Sequence, residues 1–189
     1  AFVKAFHITF DPLEPVNMFI KTSNVDLEQV QQHCAYIRRG LKIRKDYKEE
    51  VIITGMLPKQ DYISVLSQVN CFVMPSRGEA FCIPALEAMT LGIPCLYTKG
   101  IGMDFCVGEA IESQMVPCFG AVETLPDLDT SETLWSEIDI LKLSRAMREM
   151  YNKWNTEEEQ KLRNTCLWRS RHFSYEHVGE TMKELLSDR

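Results

Sequence analysis

Short apolar runs alternate with amphipathic segments along most of the chain. Val16–Thr22 ("VNMFIKT") follows the turn-prone "DPLEP" and reads as a buried strand. From Asp26 to Arg39, Leu27, Val30, Cys34 and Ile37 recur at helical spacing, with Asp26 and Gln29 as a capping pair and Gly40 as the stop. Val51–Gly55 ("VIITG") is a second strand, and "PKQDYISVLSQV" a short helix with Pro58 in its first turn, where a missing N–H costs little. Cys71–Pro75 predicts a third strand, Ile83–Leu91 a helix, Pro94–Thr98 a fourth strand and Met115–Phe119 a fifth. Val122–Ser136 reads as an acidic, polar loop. Helices are predicted over Ile138–Tyr151, Thr156–Phe173 and Ser174–Leu186. Ile140, Leu143, Met147 and Met150 mark the buried face of the first, and Thr156 with Glu159 forms a capping box for the second.

Strand–helix alternation with uniformly apolar strands predicts a parallel sheet covered on both faces, a doubly wound α/β fold. Ligands of such sheets sit at the C-terminal ends of the strands, and the Pro75–Cys82 loop is one such end. The opening "AFVKAFHITF" resembles a helix interior, with Val3, Phe6 and Phe10 on one face and no capping residue before it. The expectation is that a strand and a loop belong ahead of it.

Composition changes this little. The chain has 189 residues, 45% hydrophobic and 25% charged, as an ordinary globular protein does. A net charge of −6 argues against a general nucleic-acid binder, yet leaves room for a nucleotide, because local backbone donors can hold a phosphate in an acidic protein. The seven cysteines, Cys34, Cys71, Cys82, Cys95, Cys106, Cys118 and Cys166, include no C-x-x-C pair. They are read as small buried hydrophobes in a reducing compartment, with no zinc site. No apolar run approaches the ~20 residues of a membrane span, and the N-terminus lacks a signal-peptide layout, so a cytoplasmic location is expected.

Candidate chemistry lies between the third and fourth strands. Glu79 and Glu87, seven residues apart, flank the start of the Ile83–Leu91 helix. The amides of Phe81, Cys82, Ile83 and their successors lack carbonyl partners there and, with the helix dipole, make an anion site. Glu87, placed in the opening turn, leans back toward the N-terminus and can accept from ligand hydroxyls, while Glu79 grips a second part of the ligand. A phosphate between two sets of hydroxyls describes a nucleotide sugar. On spacing alone, the plainer readings, a glutamate that only suits the dipole and a solvated loop glutamate, come ahead of the ligand reading.

The whole string "PSRGEAFCIPALEAMTLGIPCL" resembles the signature of retaining glycosyltransferases of family four. Pro75, Ser76, Glu79, Phe81, Pro84, Glu87, Ala88, Met89, Gly92 and Pro94 match in one frame. The resemblance implies a Rossmann-like parallel sheet with helices on both faces, the C-terminal, donor-binding half of a GT-B enzyme, ending in a helical tail. Residues 1–137 would be the N-terminally truncated nucleotide-sugar-binding core, and residues 138–189 helices packing on the same domain. It implies transfer of a sugar from a nucleoside diphosphate to an acceptor hydroxyl of a glycan, lipid or protein, with retained anomeric configuration. Glu79 would be the catalytic residue, contacting the hydroxyls of the transferred sugar, and Glu87 would hold the ribose hydroxyls. The Phe81, Cys82 and Ile83 backbone would carry the diphosphate beside Ser76, and Met56 and Leu57 would meet the base. Arg77 and Lys21 are the cations near these strand ends; a phosphate contact and a plain surface role stand open for both. No metal or other cofactor is implied, because amides and cations neutralise the diphosphate. An N-terminal GT-B domain is the implied partner; no nucleic acid and no membrane span are.

The sequence departs from the signature at its two glycines, here Ala80 and Cys82, and carries Asp104 where the family often has a glutamate. Asp127–Asp129 spells a D-x-D, read as a solvated charge run and not a metal site. The alternative function is a non-catalytic sugar-nucleotide or carbohydrate-binding module. A glycoside hydrolase using the two glutamates as a pair fits less well, since such pairs flank a bond at ~5–9 Å and need no amide cradle.

Overall fold

The computed structural model describes residues 1–117 and 134–187. In chain order the elements are α1 (Phe2–Thr9), β1 (Phe19–Lys21), α2 (Leu27–Leu41), β2 (Val51–Ile53), α3 (Lys59–Leu66), β3 (Phe72–Met74), α4 (Ile83–Thr90), β4 (Cys95–Thr98) and β5 (Gly108–Ile111). There follow β6 (Ser113–Pro117), β7 (Leu134–Ile138), α5 (Ile140–Asn152), α6 (Glu157–Ser170), a 3-10 turn over Arg171–Phe173, and α7 (Tyr175–Ser187).

The fold is α/β, with parallel strands covered by helices on both faces. The parallel strands form two blocks, β1–β2 and β3–β4–β5, while β6 and β7 pair antiparallel. β4 shows why its sequence is apolar throughout. Leu96 faces a core shared with Phe6 and Phe10 of the α1 side and with Leu143 and Met147 of α5. Its neighbours Cys95 and Tyr97 point the other way, into a core with Ala85 and Met89 of α4 and Cys166 of α6. Two-residue alternation on a strand buried from both sides leaves no position for a polar residue except Thr98, whose hydroxyl is used.

Caps set most helix starts. Asp26 accepts from the Glu28 and Gln29 amides, and Asp139 from those of Leu141 and Lys142. Thr156 accepts from the Glu159 amide at 3.4 Å, and the Glu159 carboxylate reaches back to the Asn155 amide at 2.8 Å, one residue earlier than an ordinary capping box. Gly40 does not stop α2, which runs through it to Leu41; Lys42 takes the left-handed conformation instead, at φ 51°.

Two other expectations change. The strand expected over Met115–Phe119 is present in its described part as β6, Ser113–Pro117, but it is the sixth, because an unexpected β5 lies before it at Gly108–Ile111. Gly108 is required where β5 begins, because a side chain there would collide with the Cys95 carbonyl on β4. Leu134–Ser136, expected in the acidic loop, are strand residues of β7. The rest of that loop, with Asp127–Asp129, lies outside the described residues, as do Cys118 and Phe119. The six described cysteines are free thiols, and five of them are buried.

A buried polar group ties α1 to α2. Glu50, just before β2, accepts from His7 Nε2 at 2.6 Å and from Arg38, with the His7 and Glu50 side chains each 2% exposed. Burial pushes the Glu50 carboxyl up, but the hydrogen bonds from His7, its own amide and Arg38 outweigh it and hold it below the usual range. On the opposite flank Arg148 of α5 forks onto both Glu14 oxygens, at 2.6 and 2.8 Å, and onto the Thr9 carbonyl at the end of α1.

Glu50→Ala leaves His7 and Arg38 facing an empty buried position, and urea denaturation at neutral pH should show a loss of about 3–5 kcal/mol. Glu50 is depressed in the folded state. Its contribution is therefore complete above the unfolded carboxylate value of about 4.3 and is lost as pH falls through the folded value. Glu50→Gln should accordingly flatten the acid limb of the stability–pH curve.

Candidate functional site

The Pro75–Cys82 loop joins β3 to α4 and is held from three directions. Thr98 at the end of β4 donates its hydroxyl to the Ser76 carbonyl at 2.7 Å, and the Ser136 amide of β7 donates to the Arg77 carbonyl at 2.9 Å. Ser76 Oγ turns inward onto the Gly78 carbonyl at 2.8 Å. The third support is steric. Gly102, at φ +77°, lies against the loop so closely that an added Cβ would stand 2.5 Å from the carbonyl oxygens of Glu79 and Ala80.

Phe81 anchors the loop's last turn. Its ring stacks on Phe105 at 4.5 Å between centroids, and both rings meet Phe173 after α6. Phe105 and Phe173 were not candidates from sequence, because no spacing rule connects residues so far apart. Cys82 is 2% exposed and stands at the N-cap of α4 without any side-chain hydrogen bond to cap the helix. Ala80 and Cys82, which replace the signature's glycines, keep negative φ: Cys82 has φ −82°, and Ala80 is not among the left-handed residues.

The amides of Phe81, Cys82 and Ile83 find no acceptor among the described residues. Their successors do not join them. Pro84 has no N–H, and the Ala85 and Leu86 amides both donate to the Cys82 carbonyl, at 3.1 and 3.2 Å. The candidate anion site is therefore three amides wide among the described residues. Glu87 is also displaced from its expected place: it sits in the second turn of α4, not the first. There it lies beside Tyr62 of α3, whose phenol burial and the Glu87 carboxylate push up to about 12. Tyr62 is thus a neutral hydrogen-bond donor next to Glu87 across the physiological range. Its only sequence signal is membership of the α3 face.

Glu87 opens into a cavity of about 1040 Å³ that runs from the C-terminal ends of β1, β2 and β3 down between the two parallel blocks. Lys21, Met56, Leu57, Lys59 and Tyr62 share its mouth with Glu87. Glu79, Ser76, Arg77, Phe81, Cys82 and Ile83 do not line it; they form the loop beyond Pro84. Both candidate cations are engaged. Lys21 donates to the carbonyls of Thr22 (3.0 Å) and Gly55 (2.7 Å), which bridges the β1 and β2 ends and fixes the turn that carries Met56, itself 84% exposed. Arg77 pairs with Glu137 of β7 at 2.6 Å and lies over the Trp135 ring at 4.3 Å. Asp104 accepts from the Gly100 amide at 3.3 Å and so braces the Gly102 loop. Among the described residues no cluster of three His, Cys, Asp or Glu side chains is arranged to hold a metal ion.

Unpaired amides, two carboxylates and an adjoining cleft at the C-terminal strand ends suit a phosphorylated, hydroxyl-rich ligand. Comparison with known families agrees. Residues 41–111 match the family of Glycosyl transferases group 1. The matched segment covers less than half of the chain, but it runs from the end of α2 to the end of β5 and contains Glu79, Glu87, the three amides and the Met56–Leu57 turn. It supports glycosyl transfer as the general activity. No curated protein matches the chain. No helix among the described residues is long and apolar enough to cross a membrane.

Gly102→Ala should cost about 1–3 kcal/mol in thermal or urea unfolding, because the new methyl meets two carbonyls at a positive φ. Gly40→Ala, in open space on α2, should be neutral or slightly stabilising in the same assay.

Proposed function

We propose that the chain is the donor-binding half of a retaining glycosyltransferase that moves a hexosyl group from a nucleoside diphosphate to an acceptor hydroxyl. The observation that carries this reading is the uncapped start of α4, with three free amides between Glu79 and Glu87, inside the segment that matches the glycosyltransferase family. In this assignment the diphosphate lies on the Phe81, Cys82 and Ile83 amides. The ribose hydroxyls bond Glu87, with Tyr62 beside it, and the base lies along Met56 and Leu57. Glu79 receives the hydroxyls of the transferred sugar on the other side of the phosphates.

The chemistry asks little of side chains. As the bond from the anomeric carbon to the phosphate oxygen breaks, positive charge grows on the sugar ring and negative charge on the leaving diphosphate. Fixed amides aimed at that phosphate stabilise it without reorganising. The acceptor oxygen bonds the anomeric carbon on the face the phosphate leaves, and its proton passes to the departing phosphate oxygen. Glu79 orients the sugar and forms no bond to it. A preceding GT-B domain supplies the acceptor side of the cleft, and the acceptor is a glycan, lipid or protein hydroxyl. No metal takes part in this scheme.

One observation favours a second reading. Arg77, the cation nearest the three amides in sequence, is committed to Glu137 and Trp135, which suits a module that binds a sugar nucleotide without turning it over.

A thermal-shift panel of UDP, GDP, ADP and their hexose conjugates identifies the donor. The true donor at a hundred times its Kd adds about 2.7 kcal/mol of stability. Glu87→Ala should weaken nucleotide binding by about 1–3 kcal/mol, and a 2′,3′-dideoxy nucleotide should bind wild type and variant alike. Glu79→Ala should abolish donor hydrolysis while leaving nucleotide affinity in place. A donor that binds but is neither hydrolysed nor transferred by the parent chain that carries both GT-B domains favours the module, and indifference of both binding and hydrolysis to both substitutions overturns the assignment.

A further inference from the structure

Away from the cleft, two imidazoles meet where α6 gives way to α7. The ring centres of His172 and His177 lie 5.3 Å apart, with their planes at 80°. Local chemistry places both. The Ser174 amide donates to the Arg171 carbonyl at 3.1 Å, and Ser174 Oγ accepts from the His177 amide at 3.2 Å. That capping bond starts α7 and holds His177 in its first turn. His172 belongs to the 3-10 turn, and its ring meets that of Trp168 edge-on at 4.6 Å between centroids. The imidazole of His172 is thus flanked by Trp168 and by His177.

The hydrogen bonding of His172 leaves one nitrogen ready to ligate. Its Nδ1 lies 3.3 Å from the Arg169 carbonyl. A carbonyl only accepts, so Nδ1 carries the proton in this contact and Nε2 keeps its lone pair. A backbone carbonyl on the far nitrogen is how metal-ligating histidines are usually oriented. The spacing fits as well. With a Zn–N bond of about 2.0–2.1 Å, each ring centre stands about 3.2 Å from the ion, and the tetrahedral angle then separates the two centres by about 5.2 Å. Both residues are exposed, so an ion reaches them from solvent.

We propose that His172 and His177 chelate a divalent transition-metal ion with tetrahedral preference, Zn²⁺, through Nε2 of His172 and one ring nitrogen of His177. Among the described residues no cluster of three His, Cys, Asp or Glu side chains could hold a metal, so water fills the remaining positions. The site uses none of the cysteines, and it is independent of what the cleft binds. Its effect falls on α7. None of that helix's described residues is buried, and its main contact is the Arg171–Phe173 turn. The ion ties the first turn of α7 to this turn, whose Phe173 packs on Phe81 and Phe105.

A Zn²⁺ titration followed on the imidazole ¹H–¹⁵N correlations tests the proposal, with His33, exposed on α2, as the internal reference. The His172 and His177 rings should saturate together, at a Zn²⁺ concentration about tenfold or more below the one that shifts His33, because the second bond of a chelate forms within the molecule. Nε2 of His172 should show the shift of a ligating nitrogen while Nδ1 keeps its proton. His172→Ala and His177→Ala should each return the remaining ring to the level of His33 and leave the metal-free Tm unchanged, as expected at exposed positions. Zn²⁺ should also slow amide exchange in α7 of the wild-type chain and of neither variant. Rings that saturate at separate Zn²⁺ concentrations, or no more tightly than His33, overturn the proposal. So does tight binding at either ring that survives removal of the other.

Discussion

An α-helix that starts without a cap leaves donors that something else must satisfy, and that constraint shapes the region around α4. Cys82 offers no side-chain acceptor, Pro84 removes one N–H, and Ala85 and Leu86 spend theirs on the Cys82 carbonyl. What remains is a group of three amides at Phe81, Cys82 and Ile83, pointing where the helix dipole also favours negative charge. The surrounding structure holds the loop in place. Thr98 and Ser136 clamp its carbonyls, Gly102 presses against its middle, and the Phe105 and Phe173 rings fix Phe81 at its end. Residues from β4, β7, the loop after β4 and the turn after α6 thus converge on a stretch of eight residues.

The side-chain cations are used differently from what their positions suggest. Lys21 braces the β1 and β2 ends through two carbonyls, and Arg77 fastens the loop to β7 through Glu137 and Trp135. Oriented peptide groups at the start of α4 are thus the donors left for an anion there. That is compatible with a chain of net charge −6, since fixed dipoles attract an anion locally without changing the overall charge. The carboxylates divide by location: Glu87 belongs to the cleft that it shares with Tyr62, and Glu79 to the loop outside it.

Features governed by local chemistry were legible in the sequence, and features governed by distant contacts were not. Asp26 announced α2, Pro84 announced α4, and the apolar runs announced β1 to β4, because capping, φ restriction and burial act within a few residues. β5 escaped because "GEAI" is neither apolar nor alternating; Gly108 is there for its close approach to Cys95, a contact invisible in one dimension. β7 was hidden in an acidic segment for the same reason: its pairing with β6 makes it a strand. The α2 stop was misplaced because a Gly that could adopt positive φ did not, and Lys42 did. At the candidate site, spacing nominated the glutamates and the amides, but neither Tyr62 beside Glu87 nor the phenylalanine cluster, which need the tertiary fold.

The central claim is that an anion is held by main-chain N–H groups at the start of α4. A ¹H–¹⁵N titration with nucleoside diphosphates tests it directly, since each amide reports for itself. The account predicts saturable shifts concentrated at Phe81, Cys82 and Ile83, with Glu87 and Tyr62 moving only when the ligand carries ribose hydroxyls. A nucleotide that binds while those three amides stay unmoved would contradict it.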